Sequence, residues 1–395
     1  MKILSLRIYH YVATVSSIII MVALIAGIIG CGPTPVRYDL NISSTAGGSV
    51  TIPGERTITY YGRRVVRLVA TASVGYCFIN WTGDVGTIAN VNSASTTITM
   101  CGDYSIIANF DEVPPGAGEI WDWYDLDAAR NNLDNSYTLM CNLDSTTAGY
   151  ADLASTIANG GKGWEPIATD IYPFTGNFDG QGYEISNLFI NRPNEEYVGL
   201  FGFLGEGGFI ENVGVVNTTV TGNESVGGLV GYLPCSSLDA VSNSFFNGIV
   251  SGNYGVGGLV GRGGSNVRDS YSSGNVSGNN YVGGLVGYFP CVPPSAQNVT
   301  NCYSSANVTG NLNVGGLVGY QNWCCGVSEC FWDMETSGQA TSDGGIGKNT
   351  TEMQDITTFS GVGWDICDVS PGSTNSTCTW NIVNGVTYPF LSWES

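Results

Sequence analysis

The chain has 395 residues and a single histidine, His10, which lies within the first thirty. Those thirty read as a targeting segment, so no imidazole remains beyond them. That removes Ser-His-Asp and Cys-His nucleophile systems and every His-ligated metal. Charge is scarce too, at 12% of residues, and the basic sign is the scarcer: 13 Lys and Arg against 33 Asp and Glu, a net of −20. Such a surface repels a phosphate backbone and argues against nucleic acid as a partner. No CxxC pair occurs. The "WCCG" at 323–326 has no histidine to complete a thiolate site, so no metal is expected there. What is plentiful is glycine, 56 residues, together with Asn, Ser and Thr, a composition of turns and short strands. Apolar residues make up 43%, enough for a core.

Lys2 and Arg7 precede an apolar run over 11–29, which ends in "IIGC" at 28–31. The pattern resembles a lipobox, with Gly30 before the cut and Cys31 as the lipid-bearing residue. The run is also long enough for an uncut membrane helix. Either reading places the rest outside the cytoplasm, tethered to the membrane or cell surface. Cleavage would leave 11 basic residues against 33 acidic.

A tether at 31–37 leads into a unit at 38–111. Val66, Leu68 and Ala70 alternate there, as do Ile98 and Met100, and Ile106 and Ala108, which predicts half-buried strands. The order Gly47-Gly48, Gly62, Gly75-Tyr76, Phe78, Trp81-Thr82-Gly83, 97–100 and Ala108-Asn109-Phe110 resembles the divergent internalin-type B-repeat family. The resemblance implies a small β-rich module of surface proteins, a spacer or binding unit without catalytic residues. A linker at 112–119 follows. Residues 120–173 read as a helix-and-strand cap, with Ile120, Tyr124 and Leu133 on the apolar face of a helix.

Over 174–333 one heptad recurs: "SVGGLVGY" at 225–232, "GVGGLVGR" at 255–262, "YVGGLVGY" at 281–288 and "NVGGLVGY" at 313–320, with a looser "YVGLFGF" at 197–203. A second motif repeats in phase, "VSNSFF", "VRDSYS", "VTNCYS" and "VSECFW", from Val241, Val267, Val299 and Val327. These residues resemble the GLUG motif family. The resemblance implies an all-β, right-handed parallel β-helix with one coil per repeat. Stacking agrees with it: one unit cannot bury both faces of its strands, whereas stacked units can. Three ladders are expected: Phe245, Tyr271, Tyr303 and Phe331; Asn243, Asp269, Asn301 and Glu329; and Leu229, Leu259, Leu285 and Leu317. The repeated glycine is expected at corners with positive φ. Arg262 stands where sibling repeats carry Tyr, and drift at an exposed position accounts for it. Residues 334–395 read as a C-terminal cap, with a short helix over 351–358.

There are 12 cysteines, 11 once Cys31 is set aside. Neighbouring coils alone can be bridged. Cys302 and Cys330 share a register one coil apart, so they should pair or touch. Cys291 should reach Cys324 or Cys325. Cys235 aligns with Cys291 two coils away and should not bond to it. Cys77 with Cys101, and Cys367 with Cys378, are further candidates.

A glycosidase needs two carboxylates, and only seven acids lie between Tyr197 and Asp333. Denser groups occur at Asp122, Asp125 and Asp127; at Asp179 and Glu184; at Asp333 and Glu335; and at Asp343. Turn or surface roles are the simpler reading. The "DGQGYE" at 179–184 and "SDGG" at 342–345 would suit calcium best, though neither follows an EF-hand or RTX pattern. GLUG motifs also accompany some immunoglobulin-cleaving metallopeptidases, whose HExxH this sequence lacks. The expected function is therefore non-catalytic: a membrane-anchored surface protein that displays, adheres or binds an extracellular glycan or protein. A β-helical polysaccharide lyase or glycosidase, or a purely structural envelope component, are the alternatives.

Overall fold

A computed structural model describes residues 36–73, 75–112, 118–235, 239–290, 298–322 and 326–394. The signal and lipobox, Cys31, Cys291, Cys324 and Cys325 lie outside them. Among the described residues no helix is long and apolar enough to cross a membrane. The chain divides into two units at Pro114.

The first unit holds two sheets on one core. One sheet runs in the order Thr57–Tyr61, Arg37–Ser44, Tyr104–Glu112, Tyr76–Gly83, and the other Gly48–Ile52, Val65–Ala72, Ser95–Thr99. The alternating positions Val66, Leu68, Ala70, Ile98, Met100, Ile106 and Ala108 are all buried in the shared core, with Leu40, Ile42 and Trp81. Trp81 donates its Nε1–H to the Ser93 carbonyl at 3.0 Å, which satisfies the indole in that core. The expected Cys77–Cys101 bridge does not form. Cys77, on the strand Tyr76–Gly83, is a free, buried thiol. Cys101 follows the last strand of the other sheet and is bonded elsewhere.

The second unit is a parallel β-helix. Three walls repeat down it. The first wall stacks Glu196–Val198, Glu224–Gly227, Tyr254–Gly257, Asn280–Gly283 and Leu312–Gly315; the second stacks Phe201–Phe203, Val230–Leu233, Val260–Gly263, Val286–Phe289 and Val318–Gln321. The third is a broad parallel sheet that begins with Asn177–Ser186 and Phe209–Thr221. Each valine of the heptad pairs with its counterpart, Val198 to Val226, Val256, Val282 and Val314. Leu229, Leu259, Leu285 and Leu317 form the expected interior line. All four are fully buried, and the N–H of each of the first three donates to the carbonyl of the next at 2.9–3.1 Å.

The heptad glycines serve a different purpose from the one expected. None of the three in each GGLVG adopts positive φ. They are glycine because a Cβ has no room. At Gly287 it would lie 2.6 Å from both the Gly261 oxygen and the Gly255 carbonyl carbon; at Gly257 it would lie 2.6 Å from the Gly287 nitrogen. The left-handed corners are held instead by the amide ladder, Asn243 (φ 45°), Asp269 (48°), Asn301 (52°) and Glu329 (50°), and by Tyr197, Ser225, Gly255, Tyr281 and Asn313. Asn and Asp tolerate that region better than other L-residues, which is why they dominate the row.

Such a corner interrupts the backbone ladder, and the next residue repairs it. Ser270 and Cys330 accept the backbone N–H of Ser244 and Cys302, one coil earlier, at 3.2 and 3.3 Å. The side chains of Ser244, Ser270, Cys302 and Cys330 donate to carbonyls two residues back. Cys302 and Cys330 therefore touch as buried thiols in a serine-like row and are not bridged. Burial first, then the neighbouring Cys330, pushes the Cys302 thiol well above its ordinary range. Cys330→Ser should retain stability within about 1 kcal/mol, whereas Cys330→Ala should lose about 1–3 kcal/mol by orphaning a buried N–H. Denaturant titration checks this, and alkylation of the unfolded, unreduced chain should label both cysteines.

The N-terminal cap differs from its expected form. The helix is short, Trp123–Ala128, with Asp122 as its N-cap accepting from Tyr124 and Asp125 N–H, both at 2.9 Å. Its buried residues are Trp123 and Leu126, while Tyr124 is exposed and Ile120 belongs to a strand. Trp164 donates to the Leu200 carbonyl at 3.1 Å, fixing the cap to the first coil.

The C-terminal region does two jobs. Its first part closes the end: the Ser342 hydroxyl accepts from Leu317 and Val318 N–H, and Asp343 accepts from Gln321 N–H. The "SDGG" acid is thus a backbone cap. Two short helices follow, Thr350–Met353 and Ile356–Ser360, where one was expected. The remainder runs back over the outside of the third wall as a strap, stapled by Cys367–Cys378. Phe245, Tyr271 and Tyr303 stack at 4.9 Å with planes 4° apart, and Met353, Phe359, Trp364, Trp380 and Leu391 bury them. Trp393 stacks on Phe245 at 5.5 Å. The Tyr303 hydroxyl donates to the Pro389 carbonyl, and that of Tyr271 to Glu394.

Burial raises the Glu394 carboxyl from 4.5 to about 8. A carboxyl whose folded value is raised keeps its proton where the unfolded chain has lost it. Stability should therefore fall as pH rises from about 4.5 to about 8, and level off above. Glu394→Gln should flatten that slope in a melting-temperature series.

Candidate functional site

The residue that ends each copy is half-exposed or exposed on the second wall, and the residue after it in the first four copies, Leu204, Leu233, Gly263 and Phe289, is buried. Register stacks Phe203, Tyr232, Arg262, Tyr288 and Tyr320 in one row. Tyr197, Tyr254 and Tyr281 approach it from the adjoining corner and first wall. Phe203 and Tyr232 stack at 4.4 Å, and Tyr197 meets both edge-on at 5.2 and 5.7 Å. Further down, Tyr281 stacks on Tyr288 at 5.0 Å, Tyr254 meets Tyr281 edge-on at 4.6 Å, and Tyr320 closes the strip 5.8 Å from Tyr288. Between the two groups lies Arg262, its guanidinium 5.6 Å from the Tyr232 ring and 5.1 Å from the Tyr288 ring.

The strip is half-exposed, and Tyr320 is exposed at 37%. Burial raises the hydroxyls of Tyr197, Tyr232 and Tyr288, and that of Tyr254 to about 12 with help from Tyr281. All four remain neutral phenols, able to donate and accept at any ordinary pH. The arrangement offers a fixed row of apolar rings edged with hydroxyls.

The aromatic ladder expected from the second motif is not this strip. Phe245, Tyr271, Tyr303 and Phe331 lie beneath the strap, none more than 9% exposed. Arg262, put down to drift, is the centre of the strip, and its Nε is buried without a hydrogen-bond partner. The signal was present: the last position of the repeated motif is aromatic in the sibling copies, and a cation there sits between two rings.

The acids have structural employment. Asp333 is fully buried; it caps Met334–Ser337 and accepts from the hydroxyls of Thr350 at 2.7 Å and Tyr388 at 2.6 Å. Asp127 pairs with Arg130 at 2.6 Å. Asp179 accepts from Gln181 N–H and from Asn212 Nδ2 at 3.0 Å. Glu184 packs beside Gly214 and Phe245, and burial raises its carboxyl. Grooves among the described residues include one of about 630 Å³ beside Arg130, Asp134, Glu165 and Tyr172, and one of about 460 Å³ within the strap beside Val386 and Glu394. Among the described residues no three His, Cys, Asp or Glu gather as a metal site. The Cys235 thiol reaches past Gly264 to the Pro290 carbonyl at 3.3 Å.

Residues 38–114 match the family model of the divergent InlB B-repeat domain. A protein of Evansella cellulosilytica provisionally named a Gly-rich membrane protein is 36% identical over 118 residues, 30% of this chain and 13% of its own length. Halomucin of Haloquadratum walsbyi is 41% identical over 124 residues, 30% of this chain and 1% of its own. The chain thus spans a small part of these relatives. A crystal structure of a Bacteroides ovatus protein described as a candidate immunoglobulin A1 protease covers 70% of this chain and 92% of its own, with a TM-score of 0.46 and 18% identity.

Proposed function

We propose that this is a GLUG-repeat surface protein, held to the membrane through lipid on Cys31, whose β-helix binds an extracellular glycan without transforming it. The B-repeat module serves as a spacer from the membrane. The observation that carries the reading is the aromatic strip: half-exposed and repeated coil by coil along the second wall. Linear polysaccharides also repeat along their length, and rings with hydroxyl edges suit them. The match to a membrane protein supports display at a surface.

The test is a panel of immobilised neutral and acidic polysaccharides, with and without calcium. Retention should occur without calcium and weaken about tenfold in Tyr288→Ala, a loss typical of an interface anchor. Release of reducing or unsaturated ends, abolished by Asp134→Ala or Glu165→Ala in the larger groove, would instead support the enzyme reading. Absence of retention by any polysaccharide would sink the glycan assignment.

A further inference from the structure

We propose that Arg262 is a specificity-determining residue, and that the glycan it selects carries isolated anionic groups spaced by neutral sugars. This rests on the strip being the binding face. The second unit holds six cations. Arg130 pairs with Asp127, Lys162 and Arg192 with Glu195, Arg268 with Asp239 and Asp269, and Lys348 with Glu352. Among the described residues of the second unit, Arg262 alone has no carboxylate partner. In a chain with 33 acidic residues, that is an unspent positive charge. It is also held in place: two rings sandwich the guanidinium, and its buried Nε lacks a partner.

The surroundings set the pattern of charge. Asn280, Leu312 and Asn313 flank the strip on the side of Tyr281 and Tyr320, and they are neutral. Glu196 and Glu224 stack together at the Tyr197 end and would repel a second anion there. A polymer charged at every unit meets that repulsion, whereas one with a lone carboxylate or sulfate can seat it on Arg262 and lay neutral sugars along the rings. Guanidinium binds either group through paired N–H donors.

Gellan, whose glucuronate is separated by neutral sugars, is the probe, with carboxyl-reduced gellan as its uncharged twin, κ-carrageenan for sulfate and polygalacturonate for dense charge. Binding to the full chain is measured by calorimetry. Gellan should bind, more weakly as salt rises, and Arg262→Gln should weaken it about tenfold or more, with Arg262→Lys between. Carboxyl-reduced gellan should be indifferent to Arg262→Gln, and polygalacturonate should bind worse than gellan. κ-Carrageenan exceeding gellan would assign the anion as sulfate. Melting temperature confirms that each variant folds. If Tyr288→Ala weakens gellan while Arg262→Gln does not, the strip binds glycan but this role for Arg262 is wrong. If Tyr288→Ala also has no effect, the binding face itself is wrong.

Discussion

Gly287→Val should abolish or severely weaken folding of the β-helix. A Cβ at this position meets the Gly261 oxygen and the Gly255 carbonyl carbon at 2.6 Å, and neither atom belongs to a side chain that can swing away. Overpacking usually costs 1–3 kcal/mol where side chains relax, so a clash with backbone on the preceding coil should cost about 3 kcal/mol or more. For a unit of this size that lowers the melting temperature by about 6 °C or more. Gly338→Ala tests the contrast, since a Cβ there has nothing within 4 Å and only its positive φ opposes it. Thermal melts of both variants by circular dichroism give the comparison.

Trp380→Ala should be the most damaging change in the strap. Trp380 is fully buried and lies 6.1 Å from Tyr271, 5.9 Å from Tyr303 and 4.8 Å from Trp364. Removing so large a buried ring costs about 3–5 kcal/mol. The coils keep their own hydrogen bonds, so β-structure by circular dichroism should persist at low temperature while the ladder becomes accessible. Binding of a hydrophobic dye should rise and near-ultraviolet aromatic signals should fall. Unchanged dye binding would mean that the ladder is not what the strap protects.

Much of the architecture was legible because stacking repeats itself in the letters. Two motifs recurring in phase fix the coil, the leucine line and the register of the aromatic ladder. What covers an outer wall is not written in the repeat. Trp364, Trp380 and Trp393, which cover the ladder, lie in non-repeating sequence, and only their packing together reveals the strap. The heptad glycines were recognised, yet their reason was misread. Close approach of backbones and positive φ both select glycine, and Asn243 and its counterparts, not the GGLVG glycines, hold the left-handed corners. Cys302 and Cys330 were rightly placed side by side. Their alignment with Ser244 and Ser270 in the motif was the sign that they accept hydrogen bonds rather than pair. Arg262 was missed because a single departure from a repeat reads as noise until its neighbours are known to be tyrosines.

The claim that the strip is the binding face is tested most directly by hydroxyl-radical footprinting of the full chain with and without saturating gellan. Tyr232, Tyr281, Tyr288 and Tyr320 should be protected, while the exposed Tyr61, Tyr124 and Tyr172 should react equally in both samples. Protection of Tyr172 in the groove beside Arg130, with the strip tyrosines unchanged, would contradict the account.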